Sequence, residues 1–274
     1  MFGQKSLVAG GCLGLVSLCA LAFSSAAAEK DVADPKEAAP IAKAAAKHPF
    51  DKNVKVTFTD DLMIVESDGI PTHKTGEFPN RDNPNRILKQ NYKFKIPLRP
   101  RVADRPTPTP MGPIGVAING IPFYNQKNRE GQDAVKLEVF DSCCGHPDPM
   151  GRYHYHKYPV CVKSPFKDEA GKHSPLIGYA FDGYPIYGPN DADGKPPTDL
   201  DECNGRSDSE RGYHYHVTAG PPYIIGAYKG VVEQCNLARP PRGGGPPDGG
   251  PPGEGPPPGG APKGKRPPPR GTRP

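Results

Sequence analysis

With 274 residues, of which 33 are glycine and 38 proline, and with only 35% hydrophobic residues, the chain is too rich in helix breakers for a bundle or long-helix architecture. No strict Gly-x-y period runs through it, which excludes a collagen-like rod. The formal charge of +5 is supplied by the last 36 positions, so the remainder is formally neutral and carries no nucleic-acid footprint.

Lys5, the apolar run from Leu7 to Phe23 and the small residues Ser24 to Ala28 form the three zones of an export signal, with cleavage expected after Ala28. Three glycines interrupt the run, and no other segment approaches the length of a membrane span. The expectation is therefore a periplasmic or secreted protein without a transmembrane anchor. Residues 29–47 are rich in Ala, Lys and Glu and read as a flexible spacer.

From Val54 onward, short strand-like runs alternate with turn clusters: Val54 to Phe58, Leu62 to Val65, Ser67-Asp68-Gly69, and Tyr92 to Leu98. They predict a mainly β fold, a single compact β-rich domain with long loops over residues 48–238. Residues 239–274 hold 14 Pro and 11 Gly. Such a stretch cannot bury enough surface to fold and is expected to be a disordered basic tail, able to contact acidic polymers or anionic surfaces.

Self-similarity is the most informative feature. Gly115-Val116-Ala117-Ile118-Asn119-Gly120-Ile121-Pro122-Phe123-Tyr124 matches Gly178-Tyr179-Ala180-Phe181-Asp182-Gly183-Tyr184-Pro185-Ile186-Tyr187. Asp141-Ser142-Cys143-Cys144-Gly145 then matches Asp201-Glu202-Cys203-Asn204-Gly205, and each aspartate is followed 12 residues later by Tyr-His-Tyr-His. Three blocks in one order predict a duplicated unit, with halves near 113–161 and 175–230 packed about a pseudo-two-fold axis. Asn119-Gly120 and Asp182-Gly183 are expected to close hairpins.

On a strand, His154 and His156 share one face and Tyr153 and Tyr155 the other, and the same holds for residues 213–216. Two imidazoles on one side can close around a cation, and neutral imidazole suits copper or zinc. If the halves meet, His154, His156, His214 and His216 offer up to four nitrogens at one shared site. If they do not, each pair needs a third ligand: His146 or Asp141 serves the first half, whereas Arg206 stands at the matching place in the second and leaves it poorer in ligands. Asp141, Asp182 and Asp201, with the phenols of Tyr155 and Tyr215, are candidate acid–base groups beside such a metal.

A structural alternative packs the tyrosines in the core and pairs the histidines across strands. Asp191-Ala192-Asp193-Gly194 reads as an ordinary acidic turn, because Pro189 and Leu200 stand where a calcium loop needs ligands. No Gly-x-Ser-x-Gly, His-Glu-x-x-His or phosphate-binding glycine motif is present in the sequence. Removal of the signal leaves Cys143, Cys144, Cys161, Cys203 and Cys235 as disulfide candidates, read as two bridges and one free thiol whose connectivity stays open.

These blocks resemble the YHYH domain family, named for the tetrapeptide at 153–156 and again at 213–216. The resemblance takes in Gly69 to Gly76, Gly115 to Pro122, Asp141 to Pro149 with Gly145-His146-Pro147, and Gly178 to Gly188, roughly residues 54–235 in all. It implies no particular reaction or ligand, but it adds His73, within its first segment, to the candidate ligands or supporting residues. Three functions remain open. The chain is a transition-metal-binding protein using paired His-x-His strands, a metal-dependent oxidative or hydrolytic enzyme using the same site, or a metal-free module that binds a polymer such as peptidoglycan through its Tyr/His strands.

Overall fold

A computed structural model describes residues 50–162 and 171–237; the export signal, the spacer and the Pro/Gly-rich tail lie outside the described residues. The fold is mainly β. Strands β1 (Lys55–Phe58), β2 (Leu62–Ser67) and β3 (Tyr92–Pro97) form an antiparallel sheet in the order β1-β2-β3. The alternation read from sequence is realised in β2 and β3, where Met63, Val65, Phe94 and Ile96 point inward and are buried. Strand β4 (Val102–Pro108), whose prolines lack ladder donors, pairs only with β13 (Ala227–Gly230).

The remaining strands build one eight-stranded sheet. They are β5 (Pro113–Ala117), β6 (Pro122–Tyr124), β7 (Gly145–Pro147), β8 (Tyr153–Tyr155), β9 (Leu176–Ala180), β10 (Pro185–Tyr187), β11 (Gly205–Asp208) and β12 (Gly212–His216). Their order is β11-β12-β10-β9-β5-β6-β8-β7. It reads the same from either edge when β5 to β8 are exchanged for β9 to β12. At the centre the antiparallel pair β5–β9 sets Gly115 opposite Ala180, Val116 opposite Tyr179, and Ala117 opposite Gly178.

The repeated Gly-x-Ala permits that central approach. A Cβ on Gly115 would come within 2.6 Å of the Tyr179 carbonyl, and one on Gly178 would collide with the Val116 carbonyl and the Phe123 ring. Both hairpins close through the expected dipeptides, with Gly120 at φ +80° and Gly183 at φ +97°, a region open to glycine without strain. Aromatic packing ties the smaller sheet to the larger one: the Phe94 and Phe181 ring centroids lie 5.0 Å apart, and buried residues of both sheets share one apolar core.

Each Asp-x-Cys-x-Gly block folds as a tight turn around its aspartate. Asp141 Oδ1 accepts from the amides of Cys143 and Gly145, and Asp201 Oδ1 accepts from those of Cys203 and Gly205. The residue before each glycine is left-handed, Cys144 at φ 66° and Asn204 at φ 71°. The other carboxylate oxygen reaches the tetrapeptide: Tyr153 donates to Asp141 at 2.7 Å and Tyr213 to Asp201 at 3.0 Å. The twelve-residue spacing thus brings turn and strand together.

Cysteine pairing departs from the two-bridge expectation. Cys143 bonds Cys161, while Cys144, Cys203 and Cys235 carry free thiols. The halves differ here for a simple reason: Cys203 matches Cys143, but Pro221 stands 18 residues further on, where the first half has Cys161. No helix among the described residues is long and apolar enough to cross a membrane.

Candidate metal centres

Two histidine triads lie near opposite edges of the large sheet. In the first, adjacent strands β7 and β8 place His146 opposite His154, and His156 follows on the same face. His146 Nε2 is 3.1 Å from His154 Nε2, which is 3.0 Å from His156 Nε2. In the second, His173 Nε2 is 3.4 Å from His214 Nε2, which is 3.2 Å from His216 Nε2. Each group could hold a metal ion.

The opposite ring nitrogens decide the tautomers. His146, His154 and His156 direct Nδ1 to the carbonyls of Val139, Arg152 and Asn125. His173, His214 and His216 direct Nδ1 to those of Ser174, Gly212 and Gly188. A carbonyl oxygen only accepts, so each Nδ1 carries the proton and each Nε2 presents a lone pair. Three Nε2 lone pairs are then grouped in each triad, on nitrogens that all lie within 4.8 Å of one another.

Burial opposes relief by protonation. It lowers His146, His156 and His216 to about 4 and His214 to about 3, and it lowers His154 and His173 as well. Three nitrogens each 2.0–2.1 Å from a tetrahedral ion lie roughly 3.3 Å apart, close to the separations of His154 from its two neighbours and of His214 from its two. Aromatic walls fix the first triad: Tyr124 stacks on His154 at 3.8 Å and Phe140 lies 4.5 Å from His146.

The two triads share no nitrogen. Strands β8 and β12 are five inter-strand steps apart in the sheet, roughly 24 Å at the usual spacing. The shared four-histidine site considered from sequence is therefore not formed: β5 and β9 lie at the centre of the strand order, and the histidine strands β8 and β12 lie next to its two edges instead of together. The second half is also not poorer in ligands. Its third histidine comes from His173, five residues before Gly178, where the first half has Pro110. Arg206, at the place matching His146, instead pairs with Asp191 and Asp199.

Residues 93–198 match the family model described as YHYH protein. The chain carries a YHYH domain. No curated protein and no solved structure gives a significant match. The matched span of the YHYH domain holds all of the first triad and His173, while His214 and His216 lie beyond it.

The other candidate residues sit with the tyrosines of the YHYH tetrapeptides, on the face away from the imidazoles. His73 Nε2 bonds Tyr155 Oη at 2.8 Å, and Asn119 Nδ2 donates to the same oxygen. At the equivalent place Asp182 is fully buried, accepting from the Tyr215 hydroxyl and the Gly230 amide, and burial raises its carboxyl to about 6. Asp141 and Asp201 are engaged by their turns and by Tyr153 and Tyr213. None of these four joins a triad. The grouping of His73 with Cys143 and Cys161 is a disulfide with a histidine beside it.

Two contributors escaped the sequence reading. His173 had no partner in the repeat, although it was the one histidine between the two halves left unassigned. Glu138, just after the one-turn helix Ala134–Leu137, places Oε2 at 3.4 Å from His146 Nε2 and 3.6 Å from His156 Nε2. No repeat or spacing pointed to it.

Proposed function

We propose that this is an exported metal-binding protein whose two histidine triads each take one transition-metal ion, copper or zinc. The supporting observation is that all six Nδ1 atoms are held by carbonyls while the Nε2 of His154 and that of His214 each lie 3.0–3.4 Å from the Nε2 of the other two histidines of their triad. Buried lone pairs held that close repel one another unless a cation lies among them. An all-imidazole donor set suits zinc and copper.

Export is supported by the charged, apolar and small-residue zones of the first 28 positions and by the Cys143–Cys161 bridge, a bond that persists in oxidising compartments. The polymer-binding alternative is disfavoured by burial. Tyr153, Tyr155, Tyr213 and Tyr215 and the histidines between them are inside the fold and offer no platform to a polymer.

Metal analysis of purified protein reconstituted separately with zinc and copper tests the reading. Two equivalents are expected, falling to one in His154→Ala/His156→Ala and to one in His214→Ala/His216→Ala. A folded wild-type protein that retains neither metal would overturn it.

A further inference from the structure

The two triads differ in what stands over their open side. In the first, the Glu138 carboxylate sits at nearly equal distances from two of the three ligand nitrogens, 3.4 and 3.6 Å. A carboxylate oxygen that shares a tetrahedral ion with imidazole nitrogens lies roughly 3.3 Å from them, so Glu138 is already near the fourth vertex. Its position is set by the backbone: Asp133 caps the short helix at one end, and the Glu138 amide donates to the Ala134 carbonyl at the other. Among the described residues Glu138 makes no ion pair with a lysine or arginine, and its charge partners are the two imidazoles.

Among the described residues the second triad has no such group. Thr198 stands at the place matching Glu138. Among the described residues the nearest carboxylate, Asp208, has Oδ2 at 3.9 Å from His214 Nε2 alone. That oxygen is held by Arg211 Nη1 at 2.5 Å, and Oδ1 accepts from the amides of Glu210 and Arg211. To ligate, Asp208 would have to break its pairing with Arg211. His214 and His216 are fully buried but His173 is only partly so, which leaves that side of the triad reachable.

We infer that the centres are chemically unequal: Glu138 closes the first as a three-histidine, one-carboxylate site, and the second keeps a coordination position for a small Lewis-basic ligand such as water, hydroxide or azide. An exchangeable position is what a metal needs in order to activate water or bind a substrate atom, so any chemistry belongs to the triad of His173, His214 and His216. This inference rests on the metal-binding reading and deepens it.

Cobalt(II) as a visible probe and azide as the incoming ligand test it on the full chain. In His154→Ala/His156→Ala, which keeps the second centre, azide should shift the cobalt d–d bands. In His214→Ala/His216→Ala, which keeps the first, azide should leave them unchanged until Glu138→Gln is added. Because the double alanine variants remove buried rings, Glu138→Gln alone provides a milder arm: the azide-responsive share of the cobalt spectrum should rise from one centre to both, and the affinity of one centre should fall tenfold or more. Azide acting on both centres of the wild type, on neither, or identically in Glu138→Gln would overturn the inequality while cobalt stoichiometry still stood at two. Absence of bound cobalt and zinc in folded wild type would instead defeat the metal reading itself.

Discussion

The Tyr153 ring fills the space in which a side chain on Gly145 would stand, and Tyr213 does the same beside Gly205. In each half the glycine that ends the Asp-x-Cys-x-Gly turn makes room for the first tyrosine of the tetrapeptide, whose hydroxyl then reaches the aspartate that starts the turn. The motif residues are thus a lock that presents histidines on the opposite side of the strand.

Closing that space should be costly. Gly145→Ala and Gly205→Ala are each expected to destabilise by about 1–3 kcal/mol, the usual range for overpacking a filled core, read as a lower urea midpoint at unchanged slope. Gly220→Ala, at a site with no heavy atom within 4 Å of the added carbon and, like Gly145 and Gly205, without a positive φ, controls for the loss of a glycine as such. If Gly145→Ala behaved no worse than that control, the lock would be refuted.

His173→Ala should reduce bound zinc from two equivalents to one while leaving the first triad intact. The remaining ion should then be lost on His146→Ala and should survive Arg206→Ala, because Arg206 serves Asp191 and Asp199 and not a metal. Equal zinc content in His173→Ala and wild type would remove His173 from the site.

Acid should weaken the metal-free protein. In the unfolded chain histidine titrates near 6.5, whereas burial holds His146, His156 and His216 at about 4 and His214 at about 3. As pH falls the unfolded chain takes up protons first, so stability is full above about 6.5 and is lost progressively as the pH drops toward 4. Asp182, raised to about 6, and Glu138, also raised by burial, act in the opposite sense, but they are two groups against six imidazoles. Urea midpoints of the metal-free protein should therefore fall between pH 7 and pH 4.5, and a flat profile would contradict the buried neutral triads.

The Cys143–Cys161 bridge encloses the entire first triad within a span of 18 residues. Chain-entropy reasoning gives such a loop about 3 kcal/mol of stabilisation. Cys161→Ser should lower stability on that scale and weaken zinc at the first centre, leaving the second unchanged. Equal weakening of both centres would show that the bridge acts on the whole fold and not on its own loop.

Sequence by itself determined the local chemistry. The period-two placement of His154 with His156 and of His214 with His216 and the two hairpin turns are properties of a few consecutive residues, and backbone stereochemistry makes these legible without a fold. The family resemblance likewise rested on contiguous motifs and agrees with the matched span of residues 93–198. Tertiary structure alone decided how many sites those motifs build. The strand order, with β5 and β9 at its centre, places the histidine strands next to opposite edges, so nothing in the tetrapeptides could reveal two groups in place of one. The third ligand of the second triad arrives from a loop outside the repeat, and Glu138 arrives from the end of a one-turn helix. Both approaches are fixed by chain packing across many residues, and no sequence period records that.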